Sequence, residues 1–188
     1  KENKKTTEQE EGYTITGKIE GAAEKPVILQ RIENGEYVTV DSMLCDQNGQ
    51  FSFEGKVETP EMFYMKVGDK KSFRFFVENT PITIKANIDT LDNALITGSE
   101  VQDKYFGYLE QKEKFTKQQN ELYKQYQEAK QENNEEKMER IVEQYDSLEN
   151  VQKEIAINYI KKNTESVVSP YIVIKELVHD LSLQEMQQ

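Results

Sequence analysis

PITIKANIDTLDNALITGSEVQDKYFGYL, residues 81–109, holds two patterns that meet at Gly98. Before Gly98, Ile82, Ile84, Ala86 and Ile88 alternate with Thr83, Lys85 and Asn87, the period of a strand with one buried face. After it, Ser99 stands three residues ahead of Gln102, a capping-box spacing. Tyr105 and Leu109 then begin a recurrence suited to a helix. The chain reads as α+β, with a β module first and helices after it.

Working back from residue 81, the same alternation recurs between turn signals. Tyr13, Ile15, Gly17 and Ile19 share one face, and a second run covers 27–32 after Pro26. Asn34-Gly35 supplies the positive φ angles that a tight hairpin needs, and 37–45 is the returning strand. Asp46-Gln47-Asn48-Gly49 is a second such turn, leading to Phe51, Phe53, Gly55 and Val57 on one face. Runs at 62–67 and 73–77 flank a Gly68-Asp69-Lys70 turn, and 94–97 is a last short strand. Seven or eight strands at short, even spacing predict an antiparallel β-sandwich or open barrel over 12–98. Residues 1–11 are wholly polar and read as a flexible leader.

Working forward, Leu122, Tyr126 and Ala129 extend the first helix to about Gln131. Asn133 and Glu136 make a second capping signal, and the short link at 132–135 predicts antiparallel helices. Met138, Ile141, Tyr145, Leu148, Gln152, Ile155 and Tyr159 step by three and four, a heptad seam with one polar position. That seam closes either on the first helix or on a second copy of the chain as a homodimer. Asn163 and Thr164 end the hairpin, giving a helical unit at 99–163. Ser169-Pro170 fits a cap followed by proline at the first helical position. Ile174, Leu177, Val178 and Leu181 then form an apolar stripe, and Ser182 with Glu185 is one more capping box. Residues 164–188 therefore read as short helices that begin a connector, and the natural protein is expected to continue beyond Gln188.

The net charge is −11 over 188 residues, spread along the chain with no basic stripe. Phosphate neutralisation supplies most nucleic-acid affinity, so nucleic acid is a poor partner, and anionic membrane surfaces are disfavoured likewise. No apolar run approaches the ~20 residues that span a bilayer. One cysteine, Cys45, permits no internal disulfide, and one histidine, His179, leaves the usual zinc ligand sets unfilled. No phosphate loop, dinucleotide fingerprint or nucleophile elbow occurs, so no catalytic, cofactor or metal residue is assigned. The helix carboxylates alternate with Lys137 and Arg140, as on a solvated face. One cluster stands out: Phe63, Tyr64, Phe73, Phe75 and Phe76. Phe73, Phe75 and Phe76 would make either an exposed aromatic platform for a glycan or peptide, or the seat for the helices or a following domain.

Several pieces in order carry a resemblance. They are YTITGKIEGA at 13–22, VILQR at 27–31, Val40-Asp-Ser, GQFSFEGKV at 49–57, Phe76-Val-Glu-Asn, Ile82-Thr-Ile, Val101-Gln-Asp-Lys-Tyr, and 163–171 with Ser166-Val-Val-Ser. The ordered set resembles the N-terminal domain of unknown function found ahead of thioredoxin-like domains in Gram-negative envelope lipoproteins. The resemblance implies an accessory module joined to a C-terminal thioredoxin-like thiol:disulfide oxidoreductase or peroxiredoxin-like domain. It implies a periplasmic or surface location in the cell envelope, held to the membrane only by a lipid anchor. This chain has no Cys-x-x-Cys, so no catalytic residue is carried over, and Cys45 matches no redox position of the family.

Overall fold

Gly98 adopts φ +97°, and a Cβ there would lie 2.1 Å from the Pro81 carbonyl oxygen. Glycine is thus required where the chain turns from strand to helix, both by conformation and by space. The computed structural model describes residues 12–70 and 72–177. Ahead of Gly98 come β1 (Tyr13–Glu20), β2 (Pro26–Glu33), β3 (Glu36–Leu44), β4 (Gln50–Gly55), β5 (Glu61–Val67), β6 (Phe73–Val77) and β7 (Pro81–Asn87). A single 3₁₀ turn at Leu91–Asn93 precedes β8 (Leu95–Thr97). After Gly98 come α1 (Glu100–Gln131), α2 (Glu135–Lys162) and α3 (Val168–Ile172), the last continued by a π-helical turn at Val173–Leu177.

The strands form two open sheets, ordered β4-β1-β7-β8 and β3-β2-β5-β6. The alternating residues supply the core: Ile15, Ile19, Phe51, Phe53, Ile82 and Ile84 from one sheet, and Val27, Leu29, Phe63, Met65 and Phe75 from the other. Tyr13 of β1 meets Phe63 of β5 edge-on across the sandwich, ring centres 5.9 Å apart. One ladder departs from the antiparallel pattern, since β1 and β7 run parallel from Thr14↔Pro81 to Glu20↔Asn87. Side-chain alternation reports which face is buried and carries no strand direction, so periodicity could not reveal this.

The described residues fall into two compact units divided between Asp103 and Lys104, one turn inside α1. In the first unit the Ser99 hydroxyl accepts the Gln102 amide at 3.0 Å, the cap that the sequence spacing predicts. The return half of that box is absent: Gln102 Oε1 instead accepts the Phe76 amide at 2.7 Å. Glu78 completes the cap, taking the Ser99 hydroxyl at 2.7 Å and the Val101 amide at 3.1 Å, its negative charge set at the helix N-terminus.

In the second unit the α2 seam packs on α1 of the same chain. Ile141, Met138, Tyr145 and Leu148 cluster with Leu122, Tyr126 and Ala129. The polar seam residue Gln152 donates to Gln119 of α1 at 2.6 Å. The interhelix cap lies one residue later than the sequence reading placed it. Asn134 accepts the Lys137 amide at 3.0 Å, while Asn133 takes φ +51°, a left-handed conformation that Asn tolerates. Ser169 is not the cap of α3, because the helix begins at Val168 and the Ser169 hydroxyl donates to the Asn163 carbonyl at 2.7 Å. Of the predicted final stripe, Leu177 is buried and Ile174 is exposed. Val178, Leu181, His179 and the Ser182–Glu185 box lie outside the described residues, as does the 1–11 leader.

Candidate functional site

The three aromatic candidates do not form an open platform. Phe73, Phe75 and Phe76 are 6%, 0% and 2% exposed. Phe75 pairs with Phe63 and Phe73 with Met65, which turns both rings toward the sandwich interior. Phe76 pairs with Met62 on the opposite face, as the alternation of β6 requires, and is buried there as well. None of the three offers a ring face to a ligand in solution.

Cys45 sits just past β3, 3% exposed, its amide bonded to the Lys25 carbonyl at 2.9 Å. Burial, with the neighbouring Asp46 charge second, pushes its thiol above the ordinary value. A reactive cysteine needs the opposite environment, electropositive and partly open. Asp46 is occupied by its own turn, accepting the amides of Asn48 and Gln50, both at 2.8 Å. The Gln50 amide leads in holding its carboxyl below the usual range. Among the described residues no three His, Cys, Asp or Glu side chains are grouped to hold a metal ion.

The second unit contains one part-buried polar cluster. The Tyr108 hydroxyl donates to Glu176 at 2.6 Å, and the Lys112 ammonium pairs with the same carboxylate oxygen. Burial first, and the bond to Glu176 second, push the Tyr108 phenol far up. A phenol held protonated cannot serve as a base near neutral pH, so the cluster ties the turn after α3 to α1.

What the first unit does offer is a sheet edge. Its four edge strands are protected unequally. On β6 the Phe76 amide is taken by Gln102, on β4 the Ser52 amide points at the Met43 sulfur at 3.2 Å, and β8 has only three residues. The nine-residue β3 is exposed along nearly its whole length. Its side chains include Tyr37 (57% exposed), Val38, Val40 and Leu44 (63%), and Ile32 of β2 adjoins them. A long apolar edge in water is a template for another strand, and proteins ordinarily blunt such edges. The sequence reading placed this strand and missed its exposure. No local signal announced it: Tyr37, Val38 and Val40 put apolar residues on both faces, a pattern that ordinarily marks a strand covered on both sides.

Residues 13–105 match a domain of unknown function, DUF4369. The match spans the sandwich and ends in the first turns of α1. No curated protein matches the chain. Among solved structures, the N-terminal domain of AlgF from P. aeruginosa is similar at 11% identity, covering 47% of this chain and 94% of that one, with a TM-score of 0.33. Among the described residues no helix is long and apolar enough to cross a membrane.

Proposed function

We propose that this chain is a non-catalytic accessory module that positions a thioredoxin-like thiol:disulfide oxidoreductase domain in a bacterial cell envelope. The observation that carries the reading is the state of Cys45. It is the sole cysteine, it is buried, and its thiol is pushed up. Disulfide exchange needs an accessible thiolate and, for turnover on protein substrates, a second thiol to resolve the mixed disulfide. That weighs against redox chemistry through Cys45, and the placing of redox chemistry in a covalently linked C-terminal domain rests on the resemblance alone. The ordered motifs from Tyr13 to Tyr171 support that partner, and the same resemblance supports a lipid-anchored envelope location.

The alternative, a stand-alone module binding glycan or peptide on an aromatic face, has less support because Phe73, Phe75 and Phe76 are buried.

Two measurements test the proposal. In an insulin-reduction assay with dithiothreitol as electron source, the chain and its Cys45→Ser variant are both expected at the background rate. In the natural reading frame, a Cys-x-x-Cys within a strand-then-helix pattern is expected beyond Gln188. Activity above background that Cys45→Ser abolishes, or a stop codon just past Gln188, overturns the reading.

A further inference from the structure

The free edge of β3 is self-complementary, and we infer that two copies of this chain associate by antiparallel pairing of β3 with β3. The union joins two four-stranded sheets into one continuous sheet, ordered β6-β5-β2-β3 and then its symmetry mate.

The backbone fixes which groups are available. In an antiparallel ladder, successive residues alternately bond to the neighbouring strand and point away from it. At one end, Asn34 (φ +52°) and Gly35 (φ +86°) form a two-residue turn closed by the pair Glu33↔Glu36. Such a turn makes its closing pair a bonded one, so Glu36 and Val38 face β2 while Tyr37 and Thr39 face outward. At the other end, the Cys45 amide bonds to the Lys25 carbonyl. Counting back from there, Met43 and Asp41 face β2, and Leu44 and Ser42 face outward. The two counts disagree by one residue, and the ladder absorbs it: Leu29 pairs with Asp41 and Gln30 with Thr39, leaving Val40 as a bulge. Consistent with this phase, the Ser42 amide is held by the adjacent Asp41 carboxylate at 2.7 Å rather than by β2.

The outward groups are thus those of Tyr37, Thr39, Ser42 and Leu44, and only one family of registers uses all four. A two-fold axis between Val40 and Asp41 sets Tyr37 against Leu44 and Thr39 against Ser42, each pair occurring twice. These are the positions whose backbone groups face outward, so each can exchange hydrogen bonds. The intervening pairs are Val38 with Met43 and Val40 with Asp41. The same register keeps each side chain on its own face, because the bulge in each copy corrects the alternation. Tyr37 and Leu44, the most exposed apolar residues of the strand, cover one another. Electrostatics act at the centre of the register: Glu36 meets no carboxylate, but Asp41 and its symmetry mate lie diagonally across the two-fold axis on one face, where their like charges repel. A shift that paired Glu36 with Asp41 would oppose like charges. A symmetric pair also closes at two copies, so it does not propagate into a fibre.

The acidic chain opposes its own association at long range, and salt screens that repulsion. Dimerisation is therefore expected to strengthen as salt rises. Asp41 competes for the Ser42 amide, so Asp41→Ala is expected to tighten the dimer.

Sedimentation velocity of the chain over a concentration series reads the association directly. A reversible dimer is expected. Tyr37→Lys should weaken it roughly tenfold or more, and Thr39→Pro, which removes an outward amide, should leave a monomer. Both variants should retain the parent circular dichroism spectrum, and should Thr39→Pro disturb it, Tyr37→Lys carries the test. Adding Leu44→Glu to Tyr37→Lys should restore association, because an ammonium then faces a carboxylate at both copies of that cross-strand pair. Val38→Cys with Met43→Cys should oxidise to a covalent dimer, whereas Val38→Cys alone should not, since non-bonded cross-strand pairs lie close enough for a disulfide. A monomer at every concentration overturns the inference. So does a dimer indifferent to Tyr37→Lys and Thr39→Pro, failure of the double cysteine variant to cross-link, or assembly beyond two copies.

Discussion

Single side chains in this protein mostly fix turns and caps. Asp46 accepts two amides of its own turn and the Gln50 side chain, which stabilises in the ionised state the turn by which the chain passes from β3 in one sheet to β4 in the other. Its folded value lies below the ordinary carboxylate value, so the folded chain binds fewer protons than the unfolded one in the acid range. That contribution is present above the ordinary value and is lost as pH falls through the lowered one. Asp46→Ala should therefore melt below the parent at neutral pH. The gap should close in acid, as followed by thermal denaturation at stepped pH. Gln102 shows the opposite economy: it is fully buried, one end holds the Phe76 amide, and its Nε2 has no partner among the described residues. An amide left half satisfied detracts from stability. Its retention fits a residue that shields the β6 edge, a role no spacing rule would have announced.

Among the elements, the strands and the helical hairpin follow their patterns closely, and the departures lie at boundaries. The heptad seam of α2 was open between the first helix and a second copy, and the structure packs it on Leu122, Tyr126 and Ala129 of α1. Ile141 sits at the centre of that cluster and is buried. Ile141→Ala should cost about 2–5 kcal/mol, read from urea unfolding followed at the helical band, because the rigid pair of helices cannot collapse fully onto the void. The caps at Asn134 and before α3 moved by one or two residues from their expected places. Several Asn, Ser and Pro residues adjoin each boundary, and each could satisfy a free helix end. β3 is the element whose chemistry the pattern understated. Its pairing was readable from Asn34-Gly35, but its lack of cover depends on what stands beside it.

At the scale of the molecule, the two compact units differ in how far apart in sequence their contacts lie. The helical hairpin joins neighbours across a three-residue link, whereas the sandwich must bring Thr14 beside Pro81 before β1 and β7 can pair. Long loops close at an entropic cost before their contacts form, so the sandwich is expected to fold more slowly. Refolding from urea should show a fast phase in far-ultraviolet ellipticity at the helical band. A slower phase should follow in the hydrogen-exchange protection of the amides along the β1–β7 ladder, which belongs to the sandwich alone. A single phase common to both probes would contradict this order. The charge of −11 belongs to this scale too, since it sets how strongly two whole copies repel before β3 can meet β3.

The sequence alone determined the order of strands and helices, the switch at Gly98, the buried faces of the strands that alternate cleanly and the absence of a Cys-x-x-Cys pair. These follow from local periodicity, from glycine's access to positive φ, and from counting residues. Only the tertiary structure decided that β1 and β7 run parallel, that Phe73, Phe75 and Phe76 are covered, and that β3 is left bare. Strand direction and cover depend on which distant segment lies alongside, and a side chain carries the same hydrophobicity whether its neighbour is water or protein.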